Sequence, residues 1–254
     1  MFFIHDGNTS KGMSTPENMI VVRHLFKKFG DFVANNDLNF EVGKGEIFGF
    51  LGANGAGKTT AIKILCGLSA PTSGEALVAN LDVGKYPDKV KEKIGYMSQR
   101  FSLYNDMTVK ENFRFYGGIY GLSSGVIKER TNFFLQKLDM VHSLNTLLRE
   151  IPLGWKQKLA FSVAIMHRPQ VVFLDEPTGG VDPITRRQFW EMIYETAHQG
   201  TTVFVTTHYM DEAEYCERVS IMADGRIEAL GTPSQLKTKY GVDTMNEVFI
   251  KIAR

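Results

Sequence analysis

The sequence predicts an α/β fold with a parallel core sheet, for three reasons. Short apolar runs alternate along the chain with segments of helical spacing, which is typical of parallel sheets with crossover helices. The runs over 171–174 and 202–206 are rich in β-branched and aromatic residues, as expected of strands buried on both faces. A third run, over 46–51, passes into a glycine-rich loop and then into a helical segment over 59–68. We expect these three strands to share one sheet.

The first two-thirds of the chain contains the other early elements. Residues 20–22 predict a strand, and residues 38–42 alternate apolar and polar side chains as a half-buried strand does. Over 109–148, apolar and aromatic residues recur at three- and four-residue intervals without a strand signal. We interpret this stretch as an inserted, mostly helical subdomain that continues through 154–166 and has approximate bounds of 100–168.

After residue 168 the alternation of strand and helix resumes. In order, the predicted elements are a strand over 171–174, a helix over 184–198, a strand over 202–206, a short helix over 210–216 and two strands over 219–222 and 226–230. Asp224-Gly225 separates the last two strands and is a hairpin signal.

Composition predicts an ordinary soluble, intracellular globular protein. The 254 residues include 29 Lys and Arg against 28 Asp and Glu, so a net charge of +1 provides no general attraction for nucleic acid. Cys66 and Cys216 are too few for a disulfide framework. No apolar run approaches the roughly 18–20 residues of a membrane-spanning helix, and no secretory signal opens the chain. Residues 1–18 are predicted to form a flexible tail, with Met13 as an alternative start, and residues 19–254 the folded domain.

Residues 52–60, GANGAGKTT, fit the pattern G-x-x-x-x-G-K-[ST] between a strand and a helix. Glycines let the backbone wrap a phosphate chain, and the amides at the start of the helix are expected to point at it. Lys58 is expected to reach the β- and γ-phosphates, and Thr59 to offer its hydroxyl to Mg²⁺. The predicted nucleotide-binding residues here are Asn54, Gly55, Ala56, Gly57, Lys58, Thr59 and Thr60. The alternative is a glycine-rich turn that only caps a helix.

Two acids, Asp175 and Glu176, end the apolar run at 171–174. Carboxylates at the end of a buried strand need a cation or water nearby. We therefore expect Asp175 to bind Mg²⁺, through a water, and Glu176 to polarise the water that attacks the γ-phosphate. The alternative is a polar strand end that enters the turn at 177–180.

Two further polar residues follow apolar segments. His208 follows the strand over 202–206, so its imidazole is expected to hydrogen-bond the γ-phosphate and to help position the water. Gln99 ends the segment 94–98, and its neutral amide is expected to contact Mg²⁺ and the attacking water. Considered alone, a histidine is usually structural and a glutamine usually exposed.

The order of these motifs resembles the nucleotide-binding domain of ATP-binding cassette (ABC) transporters over residues 19–250. The matching motifs are the glycine loop, Gln99, the helical insertion, Leu174-Asp175-Glu176-Pro177-Thr178, Val181-Asp182 and His208. The resemblance implies a P-loop NTPase core, an N-terminal antiparallel β-subdomain and an α-helical subdomain, with ATP and Mg²⁺ as cofactors. It implies that Phe29 stacks on adenine, the alternative being a ring packed under the sheet. It also places Asp182 in a loop that crosses a dimer interface.

One motif departs from that family. Its signature, usually Leu-Ser-Gly-Gly-Gln, corresponds here to Ile151-Pro152-Leu153-Gly154-Trp155, of which only Gly154 is retained. In the family this motif binds the γ-phosphate held by the opposite subunit. Pro152 replaces the hydroxyl donor, but proline suits the first turn of a helix, and the amides of Leu153 and Gly154 are still expected to face phosphate. The Pro-Leu-Gly-Trp variant resembles ATPases that serve ABC-2-type export permeases.

The resemblance implies an ATPase that works as a head-to-tail dimer, in the simplest case a homodimer, and energises export through a separate integral membrane permease of the ABC-2 type. It implies a location at the cytoplasmic face of the cell membrane. The near-neutral charge favours docking to protein, so we expect no nucleic-acid partner. Aromatic residues of the insertion are candidates either for the permease contact or for the subdomain's own core: Phe101, Tyr104, Phe113, Phe115, Tyr116 and Tyr120. Two alternatives stay open, a soluble ABC ATPase acting on ribosomes or DNA and an unrelated P-loop enzyme such as a kinase.

Overall fold

The computed structural model describes residues 17–99 and 103–252, so most of the predicted tail and Phe101 lie outside the described residues. The strands are β1 (Asn18–Phe29), β2 (Phe32–Gly43), β3 (Ile47–Gly52), β4 (Ser73–Val78), β5 (Leu81–Asp82), β6 (Ile94–Met97), β7 (Val171–Asp175), β8 (Thr202–Thr207), β9 (Arg218–Ala223) and β10 (Arg226–Gly231). The α-helices are α1 (Lys58–Leu65), α2 (Pro87–Lys93), α3 (Val109–Ile119), α4 (Ser124–Lys137), α5 (Leu153–Ile165), α6 (Pro183–His198), α7 (Pro233–Tyr240) and α8 (Met245–Ile252).

An antiparallel sheet forms the N-terminal part of the fold, as the family resemblance implies. Its strand order is β2-β1-β4-β5. A tight turn joins β1 to β2, with Gly30 at a φ of 57°, a backbone conformation that glycine adopts without penalty. Phe29 and Phe32 pair across this turn. The hairpin therefore carries two neighbouring phenylalanines at its tip.

The core sheet has the strand order β10-β9-β3-β8-β7-β6. Strands β6, β7, β8, β3 and β9 run parallel to their neighbours, and β10 pairs antiparallel with β9. The register pairs Leu51 with Thr207 and Asp175 with Thr206. The ends of β3, β7 and β8 consequently lie at one edge of the sheet, as predicted.

The alternation of side chains along β3 fixes the two sheets to each other. Phe48 and Phe50 point toward the antiparallel sheet, where the ring of Phe40 lies 5.6 Å and 5.5 Å from theirs. Ile47 and Leu51 belong to the other hydrophobic cluster, with the helices. This packing places β2 beneath the loop that follows β3.

The stretch predicted to be helical contains α3, α4 and α5, joined in part by 3₁₀ turns at Val141–Ser143 and Leu148–Glu150. Thr108 and Glu111 form a capping box at the start of α3. A Cβ added to Gly95 would lie 2.1 Å from the Ala164 carbonyl oxygen, so α5 packs directly on β6. The helical insertion is thereby tied to the core sheet at the strand that leads to Gln99.

The aromatic residues of this insertion divide between core and surface. Phe113 is fully buried, with its ring 6.3 Å from that of Phe134. Tyr104 and Phe115 are exposed and pack edge to face on each other at 5.1 Å. Tyr116 and Tyr120 are half-buried.

Several boundaries differ from the predictions. The helix after the glycine loop begins at Lys58 and ends at Leu65, short of residue 68, because the chain turns at Gly67 with a φ of 67°. The predicted short helix over 210–216 is a 3₁₀ turn, Met210–Tyr215. Strands β4, β5 and β6 were not predicted, since none of them has a long enough apolar pattern.

Within residues 17–99 and 103–252, no helix combines the length and apolar character required to cross a membrane.

Candidate functional site

The glycine-rich loop joins β3 to α1 at the edge where the core strands end. Three of its glycines have positive φ angles: 151° at Gly52, 86° at Gly55 and 100° at Gly57. A Cβ added to Gly57 would lie 2.2 Å from the carbonyl oxygen of Ala34. Asn35 Nδ2 donates to the Gly57 carbonyl at 3.1 Å. Strand β2 therefore supports the loop from below and requires glycine at its last position.

Lys58, the first residue of α1, extends its side chain into the loop. Its Nζ donates to the carbonyl oxygens of Gly52 at 2.7 Å and Ala53 at 3.1 Å, and lies 3.7 Å from Glu176 Oε1. Lys58 is 5% exposed, and burial lowers the pKa of its ammonium group, while Glu176 and Asp175 act to raise it. An ammonium group held by carbonyl oxygens can exchange them for the oxygens of a phosphate.

Asp175 ends β7 and is 1% exposed. Thr206 Oγ1, on the neighbouring strand β8, donates to its Oδ1 at 2.7 Å, and the Thr59 side chain also hydrogen-bonds this carboxylate. Burial raises the pKa of Asp175, an effect that the Thr206 hydrogen bond opposes and the Glu176 charge reinforces. Two of the three predicted metal ligands, Thr59 and Asp175, are thus in direct contact.

The predicted catalytic side chains meet at the carboxylate of Glu176. Gln99 Nε2 donates to its Oε2 at 2.9 Å, and His208 Nδ1 lies 3.0 Å from the same oxygen. Lys58 Nζ approaches the other oxygen at 3.7 Å. Gln99, Glu176 and His208 follow β6, β7 and β8, which are adjacent parallel strands, and this explains why the three side chains converge.

Thr206 belongs to the site and was missed in the sequence. The amide of Glu176 donates to Thr206 Oγ1 at 3.0 Å and to the Thr206 carbonyl at 3.2 Å. Glu176 itself has a φ of 49°, a strained conformation for a residue other than glycine. Thr206 therefore orients both acids, because its hydroxyl donates to Asp175 and accepts from Glu176. The available signal was a hydroxyl residue near the end of a strand paired with the strand that carries the acids.

A cleft of about 380 Å³ opens between the loop and these side chains. It is lined by Phe32, Ala34, Asn54, Gly55, Gly57, Lys58, Thr59, Thr60, Gln99 and Glu176. Ala56 is not among them, and its amide donates to the Ala53 carbonyl within the loop at 3.2 Å. A phosphate contact by Ala56 stays a prediction, whereas all the other predicted loop residues share one cleft.

Two phenylalanines are candidates for a contact with a planar base at this cleft. Phe32 lines it and is 65% exposed. Phe29, its cross-strand partner, is 53% exposed and has Lys27 Nζ 4.7 Å from its ring centroid. A Phe29 ring packed under the sheet is therefore wrong. The sequence drew attention to Phe29 alone because only the family resemblance singled out an aromatic here.

We expect Phe29→Ala and Phe32→Ala to identify the ring that stacks on adenine. Base stacking on an aromatic side chain contributes about 1–3 kcal/mol, so the variant lacking that ring should bind ATP about 5- to 150-fold more weakly. Its affinity for inorganic triphosphate, which has no base, should not change. Titration calorimetry with both ligands measures this, with the exposed Phe133→Ala on α4 as control. Equal losses for both ligands would indicate a disturbed loop, and two variants with normal ATP affinity would exclude stacking.

The signature residues lie outside the cleft. Pro152 is the residue immediately before α5, so it caps the helix instead of occupying its first turn. Leu153 and Gly154 begin the helix, where backbone amides have no acceptor within the helix itself. Their amides are therefore suited to an external acceptor, but neither residue lines the cleft around the glycine loop.

Asp182 lies beside the signature at the start of α6. Its Oδ1 accepts from the amides of Ile184 and Thr185, each at 3.0 Å, and Thr185 Oγ1 donates to its Oδ2 at 2.6 Å. The Thr185 hydroxyl, followed by these amides, lowers the pKa of Asp182. A Cβ added to Gly154 would lie 2.6 Å from Thr185 Cγ2, so the start of α5 packs on this cap. The predicted residues thus form two groups, one around the glycine loop and one around the signature.

Comparisons with known proteins bear on the family and the fold of the chain. The family model described as ABC transporter matches residues 35–179. The chain is 46% identical over 241 residues to "Probable multidrug ABC transporter ATP-binding protein YbhF" of Escherichia coli (strain K12), covering 93% of this chain but only 42% of that protein. It is 34% identical over 233 residues to "Linearmycin resistance ATP-binding protein LnrL" of Bacillus subtilis (strain 168), covering 91% of this chain and 75% of that protein.

A similar solved structure is described as a dimeric, post-hydrolysis state of the ATP-binding cassette MJ0796 bound to ADP and Pi. Its TM-score to this chain is 0.77 at 25% sequence identity, with 84% of this chain and 98% of the other covered. The fold expected from the sequence, a P-loop core with an antiparallel sheet and a helical insertion, is confirmed.

Proposed function

The chain belongs to the ABC transporter family, and from this premise we propose that it is the ATP-hydrolysing subunit of an exporter. The observation that carries the proposal is the convergence of Lys58, Gln99 and His208 on the Glu176 carboxylate, directly beside the glycine-rich loop. A loop that only capped α1 would need none of these side chains. Their common location is what hydrolysis of a terminal phosphate requires.

The cleft supports phosphoryl transfer through positioning and charge neutralisation. The loop amides and Lys58 hold the phosphate chain, so the γ-phosphate lies near the carboxylate of Glu176. A water between the two is polarised by that carboxylate, which accepts a proton from the water as the water oxygen bonds to phosphorus. The bond from phosphorus to the β–γ bridging oxygen breaks in the same step, and ADP leaves with that oxygen. Gln99 and His208 already contact Glu176 and fix where that water lies.

Thr59 at the start of α1 and Asp175 at the end of β7 fit a site for Mg²⁺. This ion prefers oxygen ligands and is usually held by one or two carboxylates together with substrate phosphates. The Thr59 hydroxyl and the buried Asp175 carboxylate are such donors and contact each other. In the described parts of the chain, no group of three or more His, Cys, Asp or Glu side chains forms a separate metal cage. Thr59, Asp175 and Gln99 would therefore hold Mg²⁺ with the nucleotide, where the ion would neutralise phosphate charge and favour the ionised form of Asp175.

The active form that we propose is a head-to-tail homodimer. One chain carries a glycine-loop cleft and, outside it, the signature residues Leu153 and Gly154 with Asp182 nearby. A second copy whose signature faced the first copy's cleft would complete the ATP site. The dimeric state of the similar cassette structure supports this arrangement.

The membrane partner in this proposal is an integral permease of the ABC-2 type, with the chain at the cytoplasmic face of the membrane. The support comes from the relatives, which are named as ATP-binding proteins of multidrug transport and of linearmycin resistance. The chain spans less than half the length of the first relative, so the partners of the whole protein belong to the proposal. The domain bounds 19–254, with a helical subdomain at about 100–168, are retained as part of it.

Affinity purification of the tagged chain from solubilised membranes, followed by mass spectrometry, tests the proposal. We expect a polytopic membrane protein in stoichiometric amount, and ATP turnover by the complex. The same tag on an unrelated protein serves as control. Recovery with ribosomes or DNA and without a membrane protein would contradict the exporter role, and absence of ATP turnover would contradict the ATPase role.

A further inference from the structure

Glu212 is a fully buried carboxylate that the proposed chemistry does not use. It lies in the 3₁₀ turn Met210–Tyr215 and is 0% exposed. Thr178 Oγ1 donates to its Oε1 at 2.5 Å, and Arg186 Nε lies 3.5 Å from the same oxygen. Within the described residues, its Oε2 has no hydrogen-bond partner. Burying a carboxylate is costly even when it is paired, so packing alone does not account for an acid at this position.

Arg186, near the start of α6, connects Glu212 to the residues that follow His208. Its Nη1 donates to Asp211 Oδ2 at 3.4 Å, and its guanidinium carbon lies 4.5 Å from the ring centroid of Tyr209. The Tyr209 ring is in turn 4.1 Å from the His208 imidazole. Arg186 therefore contacts two acidic side chains on one side, those of Asp211 and Glu212. On its other side it contacts the aromatic ring of Tyr209, which lies against His208.

These contacts give a second connection between the chain segments that carry Glu176 and His208. Thr178 lies two residues after Glu176, and the turn containing Glu212 begins two residues after His208. Glu176 and His208 meet directly, with His208 Nδ1 3.0 Å from Glu176 Oε2. The segment after Glu176 and the segment after His208 are thus joined a second time, by the hydrogen bond between Thr178 and Glu212. Two independent connections restrict the relative movement of the two side chains.

We propose that Glu212 is a positioning residue, which joins the segment after Glu176 to the segment after His208 so that both side chains face one water molecule. This inference rests on the proposed ATPase function. Neither Glu212 nor Thr178 lines the cleft, so we expect the effect of Glu212 to fall on the hydrolytic step and not on nucleotide binding. An error of about 1 Å in placing a catalytic group can reduce a rate by about a hundredfold.

Glu212→Gln and Thr178→Val in the full chain test this role. Gln keeps an acceptor for Thr178 but loses the charge that attracts Arg186, and Val keeps the shape of Thr178 but removes its donor. We expect each to lower kcat for ATP by about 10- to 100-fold, with the dissociation constant for ATP within about twofold of wild type. The double variant should be no worse than the more impaired single variant, because both changes weaken the same group of contacts, which joins Thr178, Glu212 and Arg186.

Glu46→Gln is the matched control. Glu46 is also buried and paired with an arginine, since Arg218 Nη1 lies 3.2 Å from its Oε1 and the Gly43 amide donates to its Oε2 at 2.7 Å. It precedes β3, at the end of that strand opposite the glycine loop. Glu46→Gln should therefore keep the kcat of wild type, whatever it does to the melting temperature.

Wild-type kcat in both Glu212→Gln and Thr178→Val would overturn the proposal. So would a loss of ATP binding and thermal stability in proportion to the loss of kcat, since that pattern describes a merely structural acid. If Glu212→Gln does not fold, Thr178→Val decides alone. A Glu176→Gln variant that keeps wild-type turnover would overturn the proposed function itself, whereas an inactive Glu176→Gln with a normal Glu212→Gln would overturn only the positioning role.

Discussion

Replacing Glu176 with Gln will lower ATP turnover by about 10²- to 10⁴-fold, the contribution typical of a positioned general base. In the wild-type chain Gln99 Nε2 donates to the Glu176 carboxylate at 2.9 Å. Gln at position 176 retains an oxygen that can accept this hydrogen bond, so the local geometry should survive. It lacks the negative charge that polarises water and that draws Lys58 Nζ to within 3.7 Å. The measurement is steady-state phosphate release with saturating ATP and Mg²⁺.

ATP binding should persist in Glu176→Gln, because the loop and Lys58 are unchanged. With hydrolysis blocked, bound ATP should hold two copies together, so sedimentation should show a dimer with ATP and a monomer without it. Glu46→Gln changes a buried acid remote from the cleft. This variant should keep the turnover of wild type and should not form an ATP-stabilised dimer. Turnover of Glu176→Gln equal to wild type would show that the activity arises at another site, and a persistent monomer would contradict the head-to-tail dimer.

The site residues could be predicted wherever a polar side chain follows an apolar segment. Gln99, Glu176 and His208 were found in this way, because a run of apolar residues that ends in a polar one has few structural reasons to do so. Their convergence could not be predicted from the residues alone, since it depends on β6, β7 and β8 being neighbours in the sheet. The family resemblance implied a P-loop core but no order of its strands.

Sequence analysis did not identify residues whose role depends on a partner far away in the chain. Thr206 acts on acids about 30 positions away in the chain, and Glu212 acts through Thr178, 34 positions earlier. Neither carries a local signal, because a threonine in a strand or a glutamate in a turn is ordinary. Phe32 was overlooked for the same reason, since its place at the cleft depends on the close approach of the β1–β2 hairpin to the glycine loop.

The fold was predicted best where a short segment consists almost entirely of β-branched and aromatic residues. Strands β7 and β8 are buried at every position and were recognised almost to the residue. Strand β6 has four residues and was missed, although it completes the parallel sheet and carries the chain to Gln99. The antiparallel sheet was inferred from resemblance, because only three residues of the twelve in β1 gave a strand signal.

Replacing Lys58 with Met will weaken ATP binding by about 10- to 150-fold, equivalent to the roughly 1.5–3 kcal/mol of a hydrogen bond to a charged group. Met fills most of the space of the lysine stem but offers no donor to a phosphate. The control is Lys63→Met on the same helix, whose side chain is exposed and should leave binding unchanged. Fluorescence titration with a labelled ATP analogue, without Mg²⁺ and with it, measures both variants.

The stability of Lys58→Met separates lost recognition from lost folding. Burial lowers the pKa of Lys58 below its ordinary value of 10.5, so at neutral pH the folded state bears a penalty for keeping this group charged. That penalty is relieved only as the pH rises from the folded-state pKa toward 10.5, and the Met variant lacks it at every pH. Its loss offsets the two carbonyl contacts that Met cannot make, at Gly52 and Ala53. We therefore expect a melting temperature close to wild type at pH 7 together with weak ATP binding. A variant that bound ATP normally would contradict the phosphate role of Lys58. A variant that lost ATP binding only because it unfolded would favour the alternative, in which the glycine-rich loop is a turn that only caps α1.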